Sequence, residues 1–269
     1  MDLHLVALDP DHPGFRDLTY RQRRDAIARI ALGHRAGQPV PEAPYTEQEH
    51  GVWREVLGAL APVHARGVHR ELLEVDARLG LDRLQIPQLE AVNARLGPAG
   101  FRMEPVAGLV TPQSFLEHLG RGIFLSTQYI RHHSRPFYTP EPDVVHELVG
   151  HAASLLHPGI ARVSRRFGKV AATAGDELVA ALTRIYWYTL EFGLVHDAGE
   201  VKAWGAGLLS SVGELEHALS PAVERVPWDL ARVAVMDYDP TAFQPAYVVA
   251  PELGAALADL EAWLEARGA

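Results

Sequence analysis

Several features common in proteins are missing from this 269-residue sequence. It contains no cysteine, which excludes disulfides, thiolate metal sites and thiol nucleophiles. No apolar run approaches the roughly 20 residues that a membrane-spanning helix needs. The amino-terminal segment 1–9 also lacks the basic region and the apolar stretch of a secretion signal. We therefore expect a cytoplasmic protein.

Positive charge is also in short supply. Lysine and arginine together number 25, against 34 aspartate and glutamate residues, so the formal net charge is −9. A balance of this sign disfavours binding to nucleic acid or to an anionic membrane. We expect neither kind of partner.

What is present indicates a mainly helical protein. A chain of this length can bury a sizeable core, either as one large domain or as two small ones. No internal repeat, low-complexity tract or long linker divides it. Helical patterns dominate and a few short segments look extended, so we expect one mostly α domain, with a few short strands, over residues 1–269.

Individual elements follow from apolar periodicity and from capping signals. Helices are predicted at 18–36, 46–62, 68–79, 87–96, 111–119, 158–167, 176–192, 211–219 and 251–266. Extended segments are predicted at 101–110, 123–130, 233–236 and 247–250, with a hairpin over 196–204 that turns at 197–200. Thr46 and Glu49 form a capping box, and Pro62 is expected to kink or end its helix.

Two histidines stand close together on what the pattern predicts to be one helix. His146 and His151 are five residues apart, so on an ideal α-helix their directions differ by about 140°. They could converge on one ion if the helix ended or tightened near Gly150. The zinc-protease pattern His-Glu-x-x-His fails here, because its second histidine position is Gly150. Two histidines with a carboxylate from elsewhere are instead typical of non-haem Fe(II) oxygenases.

A third ligand is suggested by one isolated acid. Glu191 is the only charged residue in the apolar and aromatic run 185–195. A carboxylate is rarely placed in such surroundings unless a cation, a proton or a donor compensates for its desolvation. We therefore expect Glu191 to be the carboxylate ligand.

Longer motifs give a family resemblance. Residues 138–151 together with 186–194 and 205–214 resemble the pterin-dependent aromatic amino acid hydroxylases. Shorter matches run almost from end to end, at 11–15, 37–41, 86–90, 105–109 and 243–245. The motifs are most similar to those of the members that act on phenylalanine. Only the catalytic domain of the family is matched, so we expect no regulatory domain or assembly helix, and we expect a monomer.

The resemblance implies a fold, a reaction and a metal site. The fold is the mainly helical catalytic domain of the family. The metal is Fe(II), held by His146, His151 and Glu191. The reaction uses a tetrahydropterin and dioxygen as co-substrate to hydroxylate an aromatic amino acid, and L-phenylalanine to tyrosine is the favoured case.

A substrate site is implied in the same way. Arg131 alone would be read as a surface arginine, but it matches the arginine that holds the substrate carboxylate, a role that suits its planar fork. Further matches are Thr139, Gly207 and Ser210 beside the amino-acid backbone, and Pro142, Trp187 and Phe192 around the aromatic ring.

The pterin site has less distinctive chemistry. Phe115 matches a phenylalanine that stacks on the pterin, as an aromatic ring can on a flat heterocycle. The other matches are Gly108, Leu109 and Val110 in a loop that contacts the pterin edge, and Glu147 as a catalytic acid near the cofactor. Two tyrosines are further candidates, Tyr186 for a cofactor contact and Tyr238 for catalysis.

Two positions depart from the family pattern. Leu125 and Ser126 stand where animal phenylalanine and tryptophan hydroxylases have His-Cys, which puts the pterin contacts at that strand in doubt. Ala152 and Ala153 replace the usual Val-Pro after the second histidine. This second change should leave the ligands intact.

Other functions remain open at this stage. A zinc hydrolase would use His146 and His151 as ligands and Glu147 as general base. A non-catalytic metal or amino-acid binding protein would keep the ligands without a pterin site. Within the family, Trp187 disfavours tryptophan as substrate, while tyrosine or another ring position of phenylalanine stays open.

Overall fold

The structure is a computed structural model that describes residues 8–268. The amino-terminal residues 1–7, part of the segment predicted to lack a secretion signal, lie outside this range, as does Ala269. In the described part of the chain the α-helices are α1 (Leu18–Gly33), α2 (Glu47–Gly67), α3 (Arg70–Leu79), α4 (Leu89–Leu96), α5 (Pro112–Gly120), α6 (Ala153–Leu155), α7 (Pro158–Ala171), α8 (Asp176–Tyr186), α9 (Ala206–Leu209), α10 (Val212–Leu219), α11 (Leu230–Val233) and α12 (Leu253–Glu265).

Two short segments have the wider π-helical geometry. They are π1 (His146–Ala152), which leads into α6, and π2 (Trp187–Glu191), which continues α8. A 3₁₀ turn, Gly97–Ala99, follows α4. The predicted helix 176–192 is therefore one continuous helical segment whose last turn is π-helical.

The strands are short and form two small sheets. They are β1 (Arg102–Pro105), β2 (Ile123–Ser126), β3 (Leu194–Asp197), β4 (Glu200–Ala203), β5 (Glu224–Pro227) and β6 (Ala246–Ala250). Strands β1 and β2 pair in parallel. The second sheet has the order β4-β3-β6-β5, in which β3 pairs antiparallel with β4 while the other neighbours are parallel.

Most predicted elements are present, with shifted ends. The hairpin is confirmed, since β3 and β4 pair antiparallel around residues 198–199. The capping box is confirmed as well, because the Thr46 hydroxyl accepts from the Glu49 N–H and the Glu49 carboxylate accepts from the Thr46 N–H. The predicted end of this helix at Pro62 is not observed, and α2 continues to Gly67. Leu60 and Val63 on either side of Pro62 are buried, so packing holds the helix together there.

One prediction of extended structure is wrong. Residues 233–236 lie at the end of α11 and in the turn after it, not in a strand. Asp229 caps α11, because its carboxylate accepts from the N–H groups of Ala231 and Arg232. A local side-chain cap of this kind decides for helix where the apolar pattern alone is ambiguous.

The core joins the helices to the segments that carry the histidines and Glu191. Among the described residues one apolar cluster extends from Val40 to Leu264 and includes the fully buried Trp53. Segment π1 packs against α9, and a Cβ atom at Gly150 would lie only 2.5 Å from the carbonyl oxygen of Ala206. Only glycine permits this close approach, which brings α9 to the side of π1. The expected mainly helical fold with a few short strands is confirmed.

Candidate metal centre and active site

The two histidines predicted as ligands meet because their helix is widened. In π1 the hydrogen bonds run from residue i to i+5, so side chains five residues apart lie one above the other. The Nε2 atoms of His146 and His151 are 3.0 Å apart. The sequence led us to expect convergence by an ending or tightening of the helix near Gly150. That expectation is wrong, since the helix widens.

Glu191, at the last position of π2, completes the cluster. Its Oε1 lies 3.2 Å from His146 Nε2, and its Oε2 lies 3.1 Å from His151 Nε2. The Glu191 side chain is 11% exposed, so it is removed from most of the solvent. These three residues form one of two groups in residues 8–268 whose donor atoms lie close enough to hold a metal ion.

Burial and a hydrogen bond prepare His146 as a ligand. Burial, reinforced by the neighbouring His151, lowers the pKa of His146 to about 4, although Glu191 opposes the shift. The ring is therefore neutral near pH 7. Its Nδ1 lies 2.9 Å from the hydroxyl of Ser210, and that hydroxyl donates to the carbonyl of Gly207 at 3.1 Å. The hydroxyl must then accept from Nδ1–H, which leaves the lone pair on Nε2, the atom that faces Glu191.

Two imidazoles with one carboxylate fit a divalent cation. Nitrogen and oxygen donors in this number satisfy part of an octahedral shell and leave positions for other ligands, as in non-haem Fe(II) oxygenases. Gly207 allows the set to form, since a Cβ atom there would lie 2.9 Å from Glu191 Oε1 and 2.8 Å from the ring of Phe192.

Glu147 lies beside the two histidines but is engaged with another element. Its Oε1 accepts from both the N–H and the hydroxyl of Thr127, at 3.0 Å each. Burial raises the pKa of Glu147 to about 7, although His151 and Thr127 oppose the shift. This carboxyl group can therefore hold or release a proton near neutral pH.

Arg131 is fixed by a partner that sequence reasoning did not name as a site residue. Its Nε and Nη2 atoms donate to the two carboxylate oxygens of Asp143, each at 2.8 Å, and both side chains are buried. Burial opposes ionisation of Asp143, yet Arg131 holds its pKa below the ordinary value. Asp143 Oδ1 also accepts from the His146 N–H at 3.2 Å, so this one acid contacts both Arg131 and the segment that carries His146. Its place three residues before His146 was the available signal.

The predicted aromatic walls form a packed group. The ring centroid of Trp187 is 4.7 Å from that of Phe192 and 4.3 Å from that of Tyr238, on which it stacks. The Trp187 indole N–H donates to Gln244 Oε1 at 3.0 Å. Gln244 is buried and was not predicted as a site residue, although the motif 243–245 had marked it.

Other predicted substrate residues lie in the segment that precedes π1. The Thr139 hydroxyl donates a hydrogen bond to the carbonyl of Glu141 at 2.6 Å. Pro142 is half-buried. The Ser210 hydroxyl, predicted to lie beside the substrate backbone, is engaged by His146 and Gly207. A direct substrate contact for these residues stays a prediction.

The predicted pterin residues lie on the other side of His151. The ring of Phe115 packs edge-on against Phe124 and against Tyr186, with centroids 5.5 Å apart in each case. Phe124 in turn lies 4.5 Å from the ring of His151. This aromatic cluster connects the half-buried Phe115 with the metal ligands.

The loop before α5 is the remaining predicted pterin contact. In it Leu109 and Val110 are exposed and Gly108 is partly exposed.

The two departures from the family pattern are accommodated. Leu125 and the buried Ser126 continue β2. Ala152 and Ala153 join π1 to α6 without a break.

Two histidines and a glutamate at the centre of a helical domain form the ligand pattern of non-haem Fe(II) oxygenases, a pattern that some catalytic zinc sites share. Comparison with known families makes the class specific. Residues 4–266 match the family described as biopterin-dependent aromatic amino acid hydroxylase, and the chain belongs to this family.

Its relatives include hydroxylases of two substrates. Phenylalanine-4-hydroxylase of Rattus norvegicus is 44% identical over 250 residues, which cover 91% of this chain and 55% of the relative. Tyrosine 3-monooxygenase of Schistosoma mansoni is 40% identical over 266 residues, with 97% and 57% covered. The chain therefore spans a little over half the length of these curated relatives.

Solved structures agree with the family. Phenylalanine hydroxylase of Chromobacterium violaceum, with bound iron(III) and 7,8-dihydrobiopterin, matches with a TM-score of 0.82 at 29% identity, covering 97% of this chain and 93% of that one. Within residues 8–268, no helix is both long and apolar enough to cross a membrane.

Proposed function

We propose that this chain is a pterin-dependent monooxygenase that converts L-phenylalanine to tyrosine. The observation that carries the proposal is the convergence of His146, His151 and Glu191, whose facing atoms lie within 3.2 Å of one another. Family membership supports a tetrahydropterin as the second cofactor. We also propose that residues 1–269 act as one catalytic domain, since one apolar cluster runs from Val40 to Leu264.

The chain's first task is to hold Fe(II). His146 and His151 would bind it through Nε2 and Glu191 through its carboxylate, which places a single negative charge against a divalent ion. When bound, the iron and the tetrahydropterin together supply the electrons that reduce dioxygen, one atom of which enters the substrate ring. Phe115, Tyr186 and the loop 108–110 would hold the pterin.

A second task is to orient the amino acid. Asp143 occupies the Nε–Nη2 edge of Arg131, so a substrate carboxylate would meet the Nη1–Nη2 edge of the same guanidinium. Thr139, Gly207 and Ser210 would line the backbone of the amino acid. The ring would then lie among Pro142, Trp187 and Phe192. Tyr238 stacks on Trp187 and would act through that ring, while Glu147 can hold a proton close to the metal.

Phenylalanine is favoured by the packing of Trp187. This indole is fixed on three sides by Phe192, Tyr238 and Gln244, so it cannot easily move to admit a larger bicyclic substrate. Tyrosine is the second candidate, because the relative from Schistosoma mansoni named for that reaction is almost as similar as the phenylalanine hydroxylases.

Product analysis tests the proposal. The purified chain would be loaded with Fe(II) and supplied with tetrahydrobiopterin and, in separate reactions, each aromatic amino acid. We expect tyrosine from phenylalanine, oxygen uptake only when the pterin is present, and no turnover after loading with Zn²⁺. Predominant hydroxylation of tyrosine would assign the second candidate. Hydrolase activity with Zn²⁺ and no pterin-dependent uptake would overturn the family reaction for this chain.

A further inference from the structure

A groove of about 560 Å³ lies away from the predicted active site and is lined by four arginines. It is bounded by the end of α3, by the segment that follows α4, and by the first turns of α7. The arginines are Arg78, Arg95, Arg162 and Arg165. In a chain with a net charge of −9, such a concentration of positive charge requires an explanation.

Backbone carbonyl groups hold three of these guanidinium groups in place. Arg78 Nη2 donates to the carbonyl of Leu156 at 3.0 Å, and Arg165 Nη2 donates to that of Ala99 at 3.2 Å. Arg95 donates to the carbonyls at the end of α3. A guanidinium group has five N–H donors, so each of the three retains free donors after these contacts.

The positive charge of the groove is largely uncompensated. Among residues 8–268, Arg162 is the one groove arginine with a carboxylate partner, Glu261 at 3.0 Å. The residues that line the groove in the described chain include no acid. Carbonyl oxygens carry only partial charge, so Arg78, Arg95 and Arg165 keep most of their field.

The first turn of a helix also borders the groove. Pro158 and Ala161 line the groove, and both belong to the first turn of the 14-residue helix α7. The amino end of such a helix carries about half a positive charge and favours anions. His157 caps this end, however, because its Nδ1 accepts from the Ile160 N–H and its Nε2 lies 2.8 Å from the Glu71 carboxylate. The guanidinium groups are therefore the principal donors of the groove.

We propose that this groove binds a small anion with two or more linked phosphate groups, such as a nucleoside diphosphate. Planar guanidinium donors match phosphate oxygens in pairs, and several of them can be used by adjacent phosphates. The volume is suitable for a ligand of this size. An extended polyanion such as nucleic acid is disfavoured, because the chain as a whole carries a net charge of −9.

The site is separate from the predicted catalytic residues. Arg78 holds the carbonyl of Leu156, which lies five residues after His151 at the end of α6. Within the described chain, the hydrogen bonds and ion pairs of the four arginines involve no predicted metal, substrate or pterin residue. Binding at the groove can therefore be tested without altering the catalytic machinery.

Isothermal titration of the iron-loaded chain with ADP, at low ionic strength, tests the proposal. We expect saturable binding of ADP, weaker binding of inorganic phosphate, and no binding of adenosine. Arg78→Gln and Arg165→Gln should each weaken ADP binding roughly tenfold. The matched control is Arg225→Gln, because Arg225 also donates to a backbone carbonyl, that of Leu219 at 3.2 Å, but does not line the groove.

Three results would overturn the proposal. These are the absence of saturable ADP binding at millimolar concentration, an equal loss of binding in Arg225→Gln, and binding that persists unchanged in every groove variant. The last result would show that ADP chelates the iron. Circular dichroism melting checks the fold of each variant. Arg162→Gln removes a groove charge without removing a backbone hydrogen bond, so it decides the outcome if Arg78→Gln or Arg165→Gln fails to fold.

Discussion

Arg131 and Asp143 form a buried, two-pronged ion pair directly before the metal segment. Both hydrogen bonds are 2.8 Å long, and the Arg131 N–H donates a third to the same carboxylate, also at 2.8 Å. The geometry fixes the plane of the guanidinium group. It also connects Arg131, the predicted substrate clamp, with the metal segment, because Asp143 accepts a hydrogen bond from the His146 N–H.

Removing the charge of Asp143 should therefore disturb substrate binding and stability together. Asp143→Asn leaves a buried guanidinium without its anion, and we expect a loss of about 3 kcal/mol in the free energy of unfolding. The KM for the amino acid should rise at least tenfold, because the clamp loses its fixed plane. Steady-state kinetics and denaturant unfolding measure the two effects.

Arg131→Lys is the companion variant. It keeps the charge and loses the planar fork, so the KM for the amino acid should rise while the KM for the pterin changes less. A rise confined to the pterin KM would show that Arg131 has been assigned to the wrong ligand.

The metal assignment predicts a specific loss in Glu191→Gln. Loss of a hydrogen-bonding partner outside the ligand set costs 10- to 100-fold in metal affinity, so loss of a ligand should cost about 100-fold or more. Iron content and oxygen uptake should fall together while the melting curve of the metal-free chain is little changed. Glu177→Gln, an exposed acid on α8, is the control. Full iron content and turnover in Glu191→Gln would exclude this residue as a ligand.

Ser210 is expected to act on the metal through His146. Ser210→Ala removes the acceptor that holds Nδ1–H, so both ring tautomers become accessible and iron affinity should fall roughly tenfold. Equilibrium competition with a chelator measures the change. Ser220→Ala, outside the site, should leave the affinity unchanged. If Ser210 contacts only the amino acid substrate, the KM for the amino acid will rise in Ser210→Ala and the iron affinity will stay constant.

Trp187 is predicted to restrict the substrate. Replacing it with phenylalanine removes the larger ring between Phe192 and Tyr238, and the ratio of tryptophan to phenylalanine turnover should rise roughly tenfold. Competition assays with both amino acids measure the ratio. Trp228→Phe is the control, because its indole hydrogen-bonds to Asp259 at 2.9 Å, away from the site. A lowered melting temperature with an unchanged ratio would show that Trp187 serves the core alone.

The buried His12 predicts a pH dependence of stability. Burial lowers the pKa of His12 from 6.5 to about 4, and the positive charges of Arg24 and His132 contribute to the same shift. The unfolded chain then binds a proton at higher pH than the folded chain does, so stability is lost as the pH falls from about 6.5 to about 4. We expect His12→Gln to reduce this loss by ~1–3 kcal/mol. Urea unfolding at pH 7 and pH 5 measures it, and equal pH sensitivity in both proteins would contradict the assignment.

Much of the site could be predicted because its residue types are unusual in their surroundings. An acid in the aromatic run 185–195 indicated Glu191, and capping chemistry placed the start of α2. Elements with strong local signals, such as the hairpin around 198–199, were also found. The family motifs then indicated which other residues to group with the ligands.

Other features could not be found because they depend on contacts distant in sequence. The pairing of Arg131 with Asp143 needs the loop between them to fold back, and no local pattern reports that. Gln244 reaches Trp187 across 57 positions. The widened turn at His146–Ala152 has no clear residue signature, since propensities barely distinguish π from α geometry.

Because of the widened turn, the number of residues between the two histidines determines which ligand pattern they can form. Deletion of Val149 alone would leave His-Glu-Leu-Gly-His, with the two histidines four residues apart. An ordinary α-helix would then present both imidazoles on one face, beside a glutamate placed as in zinc proteases. A single codon therefore separates this oxygenase ligand pattern from a hydrolase ligand pattern. No substitution within 147–150 changes that spacing.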